Sequence, residues 1–145
     1  MTYSDFHYDY DERAHGSVWD VYNSRLAAMR AVAPEEVSHH MVRLAISALK
    51  CALAAREHDV STAQSAALVG WFCEMSPDVL IRITAGAPDQ GQVKALIAWH
   101  LTRAAHLRSR LDLDLACAQA RAHDMPEALE FIFEIEKDFS NNKED

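Results

Sequence analysis

Four side chains with the chemistry to bind an anion follow one another along the segment 92–111. Trp99, Arg103, His106 and Arg110 are separated by steps of four, three and four residues, so an α-helix would place them along one side. Arginines beside an aromatic ring can hold a phosphate, because the cations neutralise its charge and the ring can stack. We call this set the cationic flank. Its segment contains no carboxylate, although the chain has a net charge of −8.

Pairing inside the protein is the other use for these cations. Residues 1–20 carry five acids and one base, and residues 124–145 carry eight acids and two bases. Glu127, Glu130 and Glu134 recur at helical spacing in the second of these segments. When an acidic helix lies beside a cationic helix, the repulsion between like charges within each helix is reduced. Each exposed ion pair between the two helices contributes about 0–1 kcal/mol of stability. We therefore expect internal or subunit pairing of the cationic flank, and keep an anion or ligand patch as the alternative.

No motif that carries catalytic chemistry is present in the sequence. A glycine-rich phosphate loop, a Gly-x-Ser-x-Gly turn and a His-Glu-x-x-His zinc motif are all lacking. Glu36 and His39 have the Glu-x-x-His spacing of di-iron proteins, but His39 falls on the polar strip of its predicted helix. We therefore predict a non-enzyme, with no catalytic residue, no metal ligand and no cofactor.

Two further alternatives involve the segment that carries the cationic flank. A cavity near His100 and Trp99 would make the protein a small-molecule-binding protein or an enzyme, although a histidine within an apolar stripe is more often structural. Nucleic-acid association through Arg103 and Arg110 is the second alternative. Because the cations are few and the net charge would repel a polyanion, we expect no nucleic-acid binding.

The N-terminal residues 1–16 alternate carboxylates with aromatic rings. Such an arm can dock on a basic partner, with the rings supplying contact area and the carboxylates supplying selectivity. The structural alternative is an arm packed against its own fold. Together with Glu127, Glu130 and Glu134, the predicted partner-binding residues are Tyr3, Asp5, Phe6, Tyr8, Asp9, Tyr10 and Asp11.

The composition indicates one all-α domain. The chain has 145 residues, half of them hydrophobic, with only four glycines and four prolines, and alanine and leucine favour helix over sheet. Its three cysteines are widely spaced and form no Cys-x-x-Cys, which suits a reducing compartment. No apolar run approaches the roughly 20 residues of a membrane span. We therefore predict a cytoplasmic protein that does not bind membranes.

The apolar periodicity and the capping signals predict a helical bundle of about six helices. The arm 1–16 precedes a helical domain, 17–139, and a charged C-terminal tail, 140–145. In 111–115 leucine alternates with aspartate, so we expect a continued fifth helix or a bend there. The predicted helices cover residues 18–32, 34–57, 62–75, 77–85, 92–111 and 126–139.

For two of these helices, the residues along each side predict how the helix packs. The second is so apolar that its own chain or a second subunit must enclose it, which predicts a homodimer. The fifth is long and central, and a small-residue side lets another backbone approach it closely: Ala95, Ala98, Thr102, Ala105 and Ser109. Its predicted core-facing stripe consists of Val93, Leu96, Ile97, His100, Ala104, Leu107 and Leu111.

These observations favour a protein-interaction module over an enzyme. The acidic ends, the excess of apolar helix surface and the lack of catalytic motifs together predict a regulator or inhibitor. We expect it to bind a protein partner with a basic surface through its acidic and aromatic residues.

Overall fold

The computed structural model describes residues 24–29, 31, 34–57 and 62–144. All-α architecture is confirmed, because the described residues contain helices and no strand. Residues 24–29 are helical, within the predicted first helix, whereas the predicted N-terminal arm and its partner-binding residues lie outside the described part of the chain. Six helices follow: α1 Pro34–Glu57, α2 Ala63–Glu74, α3 Pro77–Ile83, α4 Gly91–Leu107, α5 Arg110–Ala122 and α6 Pro126–Glu144.

Local sequence signals set where the helices begin. Pro34, Pro77 and Pro126 are the first residues of α1, α3 and α6, the position where a missing N–H removes no intrahelical bond. Thr62 caps α2 by accepting a hydrogen bond from the Ser65 N–H at 3.1 Å, and the Ser65 hydroxyl accepts one from the Thr62 N–H at 2.9 Å. This reciprocal pair is a capping box. The sequence Ser61-Thr62-Ala63-Gln64 predicts such a box from Ser61 and Gln64, whereas the observed pair lies one residue later.

The C-terminal part of the predicted fifth helix is a separate helix. α4 ends at Leu107, and Arg108 adopts a left-handed conformation with φ 56° and ψ 41°. Ser109 then caps α5 by accepting a hydrogen bond from the Asp112 N–H at 3.2 Å, and an acid in this first turn suits the positive end of a helix. The alternation of leucine and aspartate is therefore part of the first turns of α5, and the bend lies before it, at Arg108, rather than within 111–115. At 17 residues, α4 is shorter than predicted.

α4 buries its small-residue side, so the predicted core-facing stripe is wrong at its C-terminal end. Ala105 is 0% exposed, whereas Leu107 and Leu111 are 50% and 69% exposed. α4 packs most extensively against α1, whose Ala45 and Ala48 are also fully buried. Two alanine-lined helices can approach closely because neither side chain extends beyond Cβ. The bend at Arg108 also carries Leu111 out of the line of α4.

The chain itself encloses α1, and α6 is longer than predicted. The apolar side of α1 is buried by the other helices, with Met41 and Leu44 at 0% exposure. α6 continues to Glu144, so the residues 140–144 of the predicted tail are helical. This segment contains neither proline nor glycine, the two residues that most strongly oppose helix continuation.

Candidate functional site

Asp112 joins α4 to α5 through two side chains of α4. Its Oδ1 lies 2.9 Å from His100 Nδ1, and its Oδ2 accepts a hydrogen bond from Arg103 Nε at 3.3 Å. The Asp112 residue is only 6% exposed. A buried carboxylate needs such partners, because removing its charge from water is otherwise unfavourable. The three side chains therefore form one ionic network that fixes the angle between the two helices.

Trp99 and Arg103 connect this network to the C-terminal end of α2. Trp99 Nε1 donates to the Phe72 carbonyl at 3.0 Å, and an Arg103 terminal nitrogen donates to the Cys73 carbonyl at 2.6 Å. The last carbonyls of a helix lack the usual partner one turn further on. The Trp99 donor adds to the hydrogen bond that the Phe72 carbonyl accepts from the Met75 N–H, and Arg103 supplies a partner for the Cys73 carbonyl. The guanidinium carbon also lies 4.8 Å from the centre of the Trp99 ring, a cation–π distance.

An arginine from a neighbouring helix also donates a hydrogen bond at the C-terminal end of α4. Arg56 of α1 donates to the Ala105 carbonyl at 3.1 Å. A cation beside unpaired C-terminal carbonyls is favourable both as a hydrogen-bond donor and toward the helix dipole. Arginine side chains from neighbouring helices thus hold the ends of α2 and α4.

Internal acids pair with both arginines of the cationic flank, but they are not the predicted ones. Arg110 contacts Glu136 of α6 at 3.2 Å and Asp114 of α5 at 3.5 Å, while Arg103 pairs with Asp112. The Arg110 pairs are half-exposed and contribute about 0–1 kcal/mol each. The four residues of the cationic flank therefore do not form one patch. One cleft is lined by Trp99, Arg103 and His106, but not by Arg110.

The environment of Asp112 favours its ionised form. Burial by itself raises the pKa of a carboxyl group, but here it is outweighed by hydrogen bonds with Ser109 and His100 and by the charge and hydrogen bond of Arg103. The pKa of Asp112 is therefore lower than the ordinary value.

We expect the stabilising effect of Asp112 to depend on pH. Because its pKa is lowered by folding, the effect is fully present above the unfolded-state value of about 3.9 and is lost as the pH falls through the folded-state value. The difference in free energy of unfolding between wild type and Asp112→Asn, measured by urea denaturation, should be larger at about pH 5 than at about pH 3. An equal difference at both pH values would contradict this.

A cleft of about 460 Å³ lies between the end of α2 and the C-terminal half of α4. Trp99, Arg103 and His106 contribute to its α4 wall, with the His106 side chain exposed. His100 does not line this cleft, because its ring is directed to Asp112. The remaining lining residues come from both sides: Gly70, Cys73, Glu74, Met75, Ser76, Pro77 and Leu107.

A second, smaller cavity of about 190 Å³ lies where α1, α4 and α6 meet. Its walls are almost entirely apolar, with Ile46 and Leu49 from α1 and Phe131 from α6. Lys94 and Glu127 also line it. Glu127, one of the predicted partner-binding acids, thus lies at the edge of this cavity rather than beside the cationic flank.

The described residues support neither a reactive thiolate at Cys73 nor a metal centre. Burial raises the pKa of the Cys73 thiol to about 12, so this sulfur is protonated at neutral pH and is a poor nucleophile. Within the described ranges, no group of three or more His, Cys, Asp or Glu side chains could hold a metal ion. No helix in this part of the chain has the length and apolar character to cross a membrane.

Sequence reasoning missed Asp112, the residue on which the network depends. A signal was present, because Ser109-x-x-Asp112 has the spacing of a helix cap followed by an acid at the third helical position.

Comparison with family models, with curated proteins and with solved structures gives no match to this chain. The functional argument therefore rests on the surfaces and contacts described above.

Proposed function

We propose that this protein is a helical interaction module that binds a basic, partly apolar protein surface through the outer side of α6. The observation that carries the proposal is Phe133, which is 60% exposed on that helix. Exposed glutamates flank it, with Glu130 one turn before it and Glu134 directly after it. An aromatic ring can fill a pocket on a partner, and aromatic residues are enriched where binding energy is concentrated.

Electrostatics supports a basic partner. The chain has a net charge of −8, and Glu127, Glu130 and Glu134 are all exposed on α6. Such a surface accelerates encounter with a positively charged protein and disfavours acidic ones. The helix α5, which packs against α6, also exposes Leu111 and Leu115.

The proposed binding surface includes neither the N-terminal arm nor a contact between two copies of the chain. The aromatic and acidic residues of the N-terminal arm lie outside the described residues, so their part in binding stays a prediction. A homodimer is not included in the proposal, because the apolar surface of α1 that suggested one is covered within the chain. The acidic outer side of α6 would also repel a second copy of itself.

We expect Phe133→Ala to lower the affinity for the partner by about 30-fold, the effect of losing a strong interface residue. The matched control is Ile81→Ala, which truncates another exposed apolar side chain on α3 and should leave affinity unchanged. The measurement is quantitative affinity capture followed by titration with the purified partner, alongside thermal unfolding. Both variants should keep the wild-type melting temperature.

The contribution of the acidic side chains to binding is tested with a separate variant. Glu130→Gln should slow association and weaken its dependence on salt, because a rim charge acts mainly on the rate of encounter. Partner binding that is unaffected by both Phe133→Ala and Glu130→Gln would remove α6 as the binding surface.

A further inference from the structure

We propose that the cleft between the end of α2 and α4 is a binding site for a small organic carboxylate. In this site Arg103 and His106 contact the carboxylate group, and Pro77 and Leu107 contact the apolar body of the ligand. The site is separate from the outer side of α6, so either proposal can fail without the other.

The structure holds the Arg103 guanidinium in one orientation. Its Nε donates to Asp112, one terminal nitrogen donates to the Cys73 carbonyl, and its central carbon lies 4.8 Å from the centre of the Trp99 ring. The other terminal nitrogen, Nη2, has no hydrogen bond within the described residues, and the side chain is 30% exposed. A donor that is already ordered loses little conformational entropy when a ligand binds.

The remaining polar groups of the cleft favour a single negative charge. His106 is exposed on the same wall as Arg103 and offers a second donor to an acceptor oxygen. Glu74 also lines the cleft, and Asp112 already balances part of the charge of Arg103. The second charge of a phosphate dianion would be attracted by one guanidinium group but repelled by two carboxylates, so it would be unfavourable on balance.

The size and walls of the cleft favour a ligand with an apolar body. Its volume of about 460 Å³ falls in the range of pockets that hold small organic molecules. Met75 forms a buried part of the wall, whereas Leu107 is half-exposed at the end of α4. Contact with a ligand would cover the Leu107 side chain, which the protein itself leaves open to water.

The test uses benzoate and inorganic phosphate as separate probes, titrated into the ¹⁵N-labelled protein. Benzoate should shift the NMR signals of the Trp99 indole N–H and the Arg103 Nε–H in a saturable way. The indole N–H of Trp71, which is fully buried and outside the cleft lining, should not shift. Phosphate should bind more weakly than benzoate. No shift at Trp99 and Arg103, or tighter binding of phosphate, would overturn the proposal.

Two substitutions should change benzoate affinity in opposite directions. His106→Ala should weaken binding by about fivefold, and Glu74→Gln should strengthen it by about twofold, because one removes a donor and the other a repulsive charge. The matched control is His123→Ala, which removes another exposed histidine in the turn after α5 and should leave affinity unchanged. Equal affinities for His106→Ala and His123→Ala would contradict the assigned role of His106.

Discussion

Replacing Asp112 with alanine is expected to lower the free energy of unfolding by about 2–4 kcal/mol. The substitution removes the partner of two α4 side chains at once, His100 and Arg103. Arg103 is 30% exposed on its side chain, so water can compensate part of its lost pairing, and the expected loss is below that of a fully buried ion pair. Urea denaturation at neutral pH, with the slope of the transition checked for constancy, gives the value directly.

Asp114→Ala is the matched control for this prediction. Asp114 belongs to the same helix and contacts Arg110, but both side chains are at least half-exposed. The expected loss is therefore below about 1 kcal/mol. Similar losses for Asp112→Ala and Asp114→Ala would show that the buried network does not stabilise the α4–α5 arrangement.

Replacing Ala105 with leucine is expected to lower the free energy of unfolding by about 2–3 kcal/mol. Ala105 is fully buried on the small-residue side of α4, and α1 presents alanines of its own to the core. A leucine there requires the two helices to separate or neighbouring side chains to leave favourable rotamers. Urea denaturation and thermal unfolding should both report the loss.

The controls for Ala105→Leu test the burial pattern of α4. Ala66→Leu makes the same change at an exposed position of α2 and should alter stability by less than about 0.5 kcal/mol. Leu111→Ala, which removes a side chain that is 69% exposed, should also have an effect within about 0.5 kcal/mol. If Leu111→Ala were strongly destabilising and Ala105→Leu harmless, the predicted core-facing stripe would be correct instead.

The Asp112 network connects the fold to the proposed ligand cleft. Asp112 is the first-turn acid of α5, yet it also orients Arg103, which is one of the residues that line the cleft. The bend at Arg108 brings these two residues together, because it folds α5 back onto α4. The carboxylate site therefore depends on a contact between helices rather than on any one helix.

Much of the fold follows from local sequence signals. Pro34, Pro77 and Pro126 mark the starts of three helices, and Thr62 marks the start of a fourth. These signals are readable because the backbone groups at a helix start are satisfied by residues close in sequence. The Arg108 bend was less evident, because a left-handed arginine carries no signal like that of glycine.

The candidate site was only partly predictable. The spacing of Trp99, Arg103 and His106 predicted that they share one side of a helix, and they line one cleft in the structure. The same spacing placed Arg110 with them, but this residue belongs to the next helix and pairs with Glu136. The periodic spacing places residues on one side only if the helix continues through all of them. A single left-handed residue ends the helix and so separates Arg110 from the other three.

The helical class and most helix starts follow from local sequence, because propensity and capping act over a few residues. Local sequence did not determine which side of α4 faces the core. Large apolar side chains were expected to be buried, yet the fully buried alanines of α1 favour close packing, and Ala105 is buried where Leu107 is exposed. Nor could it select Asp112 as the partner of Arg103, because this pairing depends on how α5 folds back. Both outcomes depend on the neighbouring helix, and that information exists only in the tertiary structure.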